Sequence, residues 1–187
     1  MCTRLWYLLH ITEAKLQVNN TKGTGFEGFG EDNTTAQIQN ISLSENGLTH
    51  MVGISYDRDL LRELRIVSNN FEVKFPHELT NLNNLKVLHV SYNPVFIGYL
   101  PSDIGKVSNL QDIELYYTSL EGVFPLKIGN LSLLQYLGRY ETQLKVLLTE
   151  EVGCLNQLRY ISIHNNEADL GKLTGPLPSF FDLGNIR

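Results

Sequence analysis

Cysteine is almost missing from this chain: Cys2 and Cys154 are the only two in 187 residues. Two thiols so far apart in sequence define no disulfide framework. The five histidines fall into no H-E-x-x-H pattern and no C-x-x-C accompanies them, so no metal site is expected. Cys154 reads as a structural or neutral residue. Basic residues are scarce too, 15 Lys and Arg against 20 Asp and Glu. A nucleic-acid binder needs a basic stripe, so nucleic acid is excluded as a partner. Long apolar runs are lacking. No stretch approaches the roughly 18 apolar residues of a membrane-spanning helix, and no span is expected in this chain. The longest, from Leu5 to Ile11, makes a poor signal peptide. Leu5, Leu8, Leu9 and Leu16 recur at helical spacing, which predicts an amphipathic helix covering the first repeat.

What the chain has is a repeat. An apolar residue, two others, an apolar residue, one other, an apolar residue, two others and a small polar residue recur six times. The sets are Ile38, Ile41, Leu43, Asn46; Leu61, Leu64, Ile66, Asn69; Leu85, Leu88, Val90, Asn93; Leu110, Ile113, Leu115, Thr118; Leu134, Leu137, Arg139, Thr142; and Leu158, Ile161, Ile163, Asn166. Their starts lie 23, 24, 25, 24 and 24 residues apart, the signature of a leucine-rich repeat. The apolar-x-apolar core of each unit is a short strand with two residues inward and one outward. Ile41, Leu43, Leu64, Ile66, Leu88, Val90, Ile113, Leu115, Leu137, Ile161 and Ile163 should therefore face the core. Arg139 occupies an inward slot and calls for a carboxylate partner or a local distortion that lets it reach water.

The organisation follows. Residues 1–35 form an N-terminal capping segment, a helix and then a Gly-, Asn- and Thr-rich loop. Residues 36–187 form a solenoid of about six repeats, truncated at its C-terminal end. Ile186 takes the first anchor slot of a seventh repeat with no capping segment after it. Terminal repeats need a polar outer face. The apolar edge near Phe180, Phe181 and Leu183 implies either a fragment of a longer protein or self-association through that end. The compartment follows the same choice: cytoplasmic for a complete chain, extracellular for a receptor fragment.

The return half of each repeat is also patterned: Leu120-Glu-Gly122-Val-Phe-Pro125 with Ile128-Gly129-Asn-Leu131, Ile97-Gly98-Tyr-Leu-Pro101 with Ile104-Gly105-Lys-Val107, and Leu173-Thr-Gly175-Pro-Leu-Pro178. Proline suits extended or 3₁₀ returns better than long helices. This L-x-G-x-x-P-x-x-I-G-x-L form resembles the plant-type leucine-rich repeats of receptor-like proteins over residues 36–187. The resemblance implies an α/β fold, a right-handed horseshoe solenoid with a parallel concave sheet and mostly 3₁₀ or irregular convex returns. It also implies recognition of another molecule. Val73 and Val146 depart from the family's turn glycine, Thr149 departs from its proline, and the family's N-terminal cysteine pair is reduced to Cys2.

Candidate chemistry is thin. Gly23-Thr-Gly25-Phe-Glu-Gly28 matches G-x-G-x-x-G, but a phosphate loop needs a strand before it and a helix after it, and Glu31 to Thr35 make a poor helix. It reads as a loop, and no cofactor is expected. No nucleophile–base pair can be drawn from spacing, so the chain is read as not an enzyme. The outward columns are more informative. Six of the nine tyrosines, Tyr92, Tyr116, Tyr117, Tyr136, Tyr140 and Tyr160, fall on them, with Asp112, Glu114 and Glu141 as a border and His89 and His164 as flanks. Tyr offers large contact area at low entropic cost. The expected function is recognition of a protein or peptide, a basic one, on this acidic Tyr-rich face. The alternative is an ice-binding-like surface solenoid, which needs a regular Thr or Asn column. The column Ser42, Arg65, His89, Glu114, Gly138, Ser162 is irregular.

Overall fold

The computed structural model describes residues 13–15, 25–26, 39–44, 50–51, 60–72, 74–145 and 150–164. Its main element is a seven-stranded parallel sheet made of β1 (Glu13–Lys15), β3 (Asn40–Ser42), β5 (Glu63–Arg65), β6 (Val87–His89), β8 (Asp112–Glu114), β10 (Tyr136–Tyr140) and β12 (Tyr160–His164), in that order. Each strand pairs with the next repeat's strand in one register, so Ile41, Leu64, Leu88, Ile113, Leu137 and Ile161 stack as one row. A period-2 strand with a buried middle residue forces this register, since a one-residue slip would expose the whole row.

The expected inward residues from Ile41 to Leu137 are all buried, and Ile161 is partly buried against them. The side chain of Ile163 lies outside the described residues. The first anchors Leu61, Leu85, Leu110 and Leu134 close the core from one side at 0% exposure. Burying one such leucine is worth about 1.5–3 kcal/mol, so the repeated anchors dominate the stability of the stack.

At the end of each strand the chain must turn. Asn69 Nδ2 donates to the carbonyl of Leu43 at 2.6 Å, and Asn93 Nδ2 to that of Ile66 at 2.6 Å. Each asparagine thus ties its repeat to the one before it by satisfying a buried carbonyl. The residue just before the polar anchors Asn69, Asn93, Thr118 and Thr142 is left-handed: Ser68 (φ 56°), Tyr92 (57°), Tyr117 (50°) and Glu141 (51°).

The returns carry 3₁₀ turns at His77–Asn81, Ser102–Lys106 and Leu126–Asn130, each entered from a proline. Where Thr149 stands at the proline position, the return is instead a four-residue helix, α1 (Glu150–Gly153). The L-x-G segments add a second parallel sheet of β7 (Asn93–Tyr99), β9 (Thr118–Val123) and β11 (Gln143–Lys145). Gly122 is required in it: its φ is +86°, and a Cβ there would lie 2.5 Å from Cδ1 of Tyr99.

One expectation is corrected at the N-terminus. Glu13–Lys15 lies within the segment predicted as a helix but forms β1, pairing parallel with β3 with Ala14 in register with Ile41. A strand there covers the open edge of β3, whose N–H and C=O groups would otherwise lack sheet partners. The sequence carries the signal: Ile11, Ala14, Leu16 and Asn19 repeat the anchor pattern with Ala14 in place of a larger residue. Within the glycine-rich segment, β2 (Gly25–Phe26) pairs with β4 (His50–Met51), so part of the expected loop is strand. Residues 5–12, Phe180, Phe181, Leu183 and Ile186 lie outside the described residues.

Candidate functional site

The outward residues of the long sheet place the candidate site. Because strands stack in register, a residue on one strand meets its equivalents about 4.8 Å away on each side. Six tyrosines thereby form one chain of contacts. Tyr92 and Tyr117 stack with ring centroids 4.7 Å apart and planes 19° from parallel. Tyr117 meets Tyr140 edge to face at 5.2 Å, and Tyr140 meets Tyr116 at 6.4 Å. The hydroxyls of Tyr116 and Tyr136 share a hydrogen bond, and Tyr136 packs on Tyr160 at 6.0 Å. Tyr92 and Tyr160 at the two ends are about half exposed, at 50% and 45%.

Two features that sequence reasoning passed over shape this chain. Gly138 leaves the space that Tyr116 occupies, since a Cβ there would lie 2.2 Å from the Tyr116 hydroxyl oxygen. In the outward column Gly138 read as an irregularity. The left-handed backbone at Tyr92 and Tyr117 is the second, and nothing in a lone tyrosine announces it. Burial, and next the hydrogen bond with Tyr136, push the Tyr116 phenol pKa well above its ordinary value. The hydrogen bond with Tyr117 pushes that of Tyr140 up to about 12.

The acidic residues divide. Glu141 stays at the tyrosine end, one residue after Tyr140, in the left-handed position. Asp112 and Glu114 join a charged group on the other side. His89 Nε2 lies 3.1 Å from Asp112 Oδ2, without the alignment of a hydrogen bond. His89 Nδ1 lies 3.5 Å from Glu114 Oε2 and 2.8 Å from Nη1 of Arg65. Arg65 Nη2 donates to Glu63 Oε2 at 3.0 Å. Glu63 and Arg65 were not among the candidate residues, though the same outward columns hold them. Burial above all, opposed by the charge of His89, raises the Glu114 pKa above the usual carboxylate value. Among the described residues, His89, Asp112 and Glu114 are the one group whose ligand atoms lie within 4.8 Å of one another. The guanidinium beside the imidazole makes this a charge network rather than a cation cage. His164 pairs in register with Tyr140, and its side chain lies outside the described residues.

Beneath the face, Arg139 is 1% exposed and donates to the carbonyl of Leu144. Of the two expected arrangements, a carboxylate partner or a route to water, the route to water is not taken: the guanidinium is held inside, with a backbone carbonyl as one partner. Burial lowers its pKa.

No family model matches the chain. Solved structures do. The crystal structure of a TDR receptor is 28% identical with a TM-score of 0.66, over 79% of this chain and 26% of that one. The chain is a leucine-rich-repeat protein of the plant type. The ectodomain of the Arabidopsis thaliana membrane receptor kinase GASSHO1/SCHENGEN3, in complex with Casparian strip integrity factor 2, is 22% identical with a TM-score of 0.62. That match spans 89% of this leucine-rich-repeat chain and 26% of the other. The plant peptide hormone receptor RGFR1, in complex with RGF2, is 17% identical with a TM-score of 0.58, over 76% and 27%. This leucine-rich-repeat protein thus spans about a quarter of the length of each of these three receptor chains. Among the described residues, no helix is long and apolar enough to cross a membrane.

Proposed function

We propose that the chain is a recognition module whose concave face binds an extended segment of a protein or peptide carrying Lys or Arg. The observation that carries this reading is the unbroken contact chain of Tyr92, Tyr117, Tyr140, Tyr116, Tyr136 and Tyr160 across four neighbouring strand units. Tyrosines that merely favour strands have no reason to collect on one face. Aromatic surfaces with carboxylates beside them suit cationic side chains, which lie over rings and pair with acids. The complex that the matched peptide hormone receptor RGFR1 forms with RGF2 supports a peptide as the partner class.

The test begins with a partner obtained by pull-down. Tyr116→Ala and Tyr140→Ala are then compared with Lys106→Ala, which alters an exposed ion pair with Asp103 on a return. A central aromatic anchor is worth about 2 kcal/mol or more of binding, and a distant surface change close to nothing. Weakening by Lys106→Ala with no effect of the tyrosine changes would place the binding surface elsewhere.

A further inference from the structure

The charged end of the concave face holds two mutually exclusive arrangements. His89 Nδ1 has Arg65 Nη1 at 2.8 Å and Glu114 Oε2 at 3.5 Å. Arg65 can only donate, so its bond to Nδ1 requires a lone pair on that nitrogen. A bond from Nδ1 to Glu114 requires a proton there. The ring cannot serve both. With Nδ1 unprotonated, the ring proton sits on Nε2, facing Asp112 Oδ2 at 3.1 Å.

The charged groups around the ring are Glu63 and Arg65 from β5 and Asp112 and Glu114 from β8, one cation against three carboxylates. The His89 side chain is only 13% exposed, so these neighbours rather than water decide which form is held. The side chain of Arg65 is 36% exposed and remains tied to Glu63, so it can leave the ring without losing its ion pair.

We propose that His89 is a proton-operated switch on the binding face. Neutral, it accepts the hydrogen bond from Arg65 and leaves the acceptor capacity of Glu114 open to a partner's cation. When a solvent proton is added to Nδ1, that nitrogen donates to Glu114 while Nε2 keeps its proton toward Asp112, and Arg65 is released to Glu63. Imidazolium and guanidinium repel at contact distance, which drives the release, and the new cation occupies the acidic seat from inside. Histidine is the side chain suited to make this change between about pH 5 and 8. The consequence for recognition rests on the basic-partner reading: acidification weakens binding because the protein's own imidazolium competes for the same carboxylate.

The switch is tested without any partner. Nitrogen-15 NMR follows the His89 imidazole and the Arg65 guanidinium across that pH range in the wild-type chain and in His89→Gln. The expected result is that Arg65 and His89 resonances shift with one common midpoint, and that the Arg65 shift is lost in His89→Gln. Arg65 resonances that stay still while the ring titrates, or that titrate equally in His89→Gln, overturn the switch. A second arm titrates acetyl-arginine amide into the wild type at the two ends of the range. Weaker perturbation of the Glu114 resonances at the acidic end is expected, and equal perturbation overturns the competition. Failure of the tyrosine variants to affect a captured partner would sink the binding-face reading and leave the NMR outcome untouched.

Discussion

Tyr92 and Tyr117 stack on each other at 4.7 Å although both hold a left-handed backbone, at φ 57° and 50°. That conformation costs an ordinary residue roughly 1–2 kcal/mol, and Asn or Gly tolerates it far better. The stack returns about 0.5–1.5 kcal/mol. Tyr92→Asn should therefore leave thermal stability within about 1 kcal/mol of wild type while weakening partner binding about tenfold, an aromatic contact's share. Melting curves and calorimetric titration read the two effects separately. A large loss of stability with unchanged affinity would assign Tyr92 a purely structural part.

Gly138→Ala puts a methyl where the Tyr116 hydroxyl lies. The ring must lift and the hydrogen bond to Tyr136 must break. A cost of about 1 kcal/mol in stability is expected, together with loss of binding at the centre of the patch. A crystal structure of the variant with Tyr116 unmoved would refute the claim that Gly138 seats the ring.

The raised phenol pKa values give an alkaline prediction. A phenol whose folded pKa lies above the unfolded value of about 10 contributes stability below that value and loses it as pH rises through the folded pKa. Tyr116 and Tyr140 should be among the last tyrosines to ionise in an ultraviolet titration, Tyr140 near 12. Tyr136→Phe should bring Tyr116 back toward the ordinary range and lower the pH of alkaline unfolding. An unchanged titration curve would count against the hydroxyl pair.

For Glu114 the sign runs the same way with an acid. Its folded pKa is raised, chiefly by burial. Its stabilising share is full below the unfolded pKa and is lost as pH rises through the folded one. Glu114→Gln imitates the protonated carboxyl and should stabilise the protein modestly at pH 7, since the charged form no longer has to be desolvated. At pH 4 the two should differ little. Destabilisation at pH 7 would mean that the pairing with His89 outweighs desolvation.

Arg139→Leu replaces a buried guanidinium with the apolar residue that the repeat calls for. Such replacements are often neutral or stabilising by about 1–4 kcal/mol, because the charge no longer has to be desolvated. Chemical denaturation decides the matter. A loss of several kcal/mol would make the bond to Leu144 and the other partners of Arg139 indispensable to the fifth repeat.

The anchors from Ile38 to Ile163 carried the fold in the sequence itself. Hydrophobic spacing is a local, periodic property, and stacking identical units is the one way to bury such a row, so strand, register and core followed from the pattern. The N-terminal strand was legible only in retrospect, because Ala14 weakens the period and the leucines before it recur at helical spacing. The tyrosines could likewise be placed on the outward face from spacing alone. What the sequence could not determine were relations between repeats. Gly138 receiving Tyr116, Tyr92 lying on Tyr117 and Arg65 reaching His89 depend on side-chain direction and backbone handedness. Those are decided when strands some 24 residues apart come to lie side by side, a distance over which no local pattern can specify a contact.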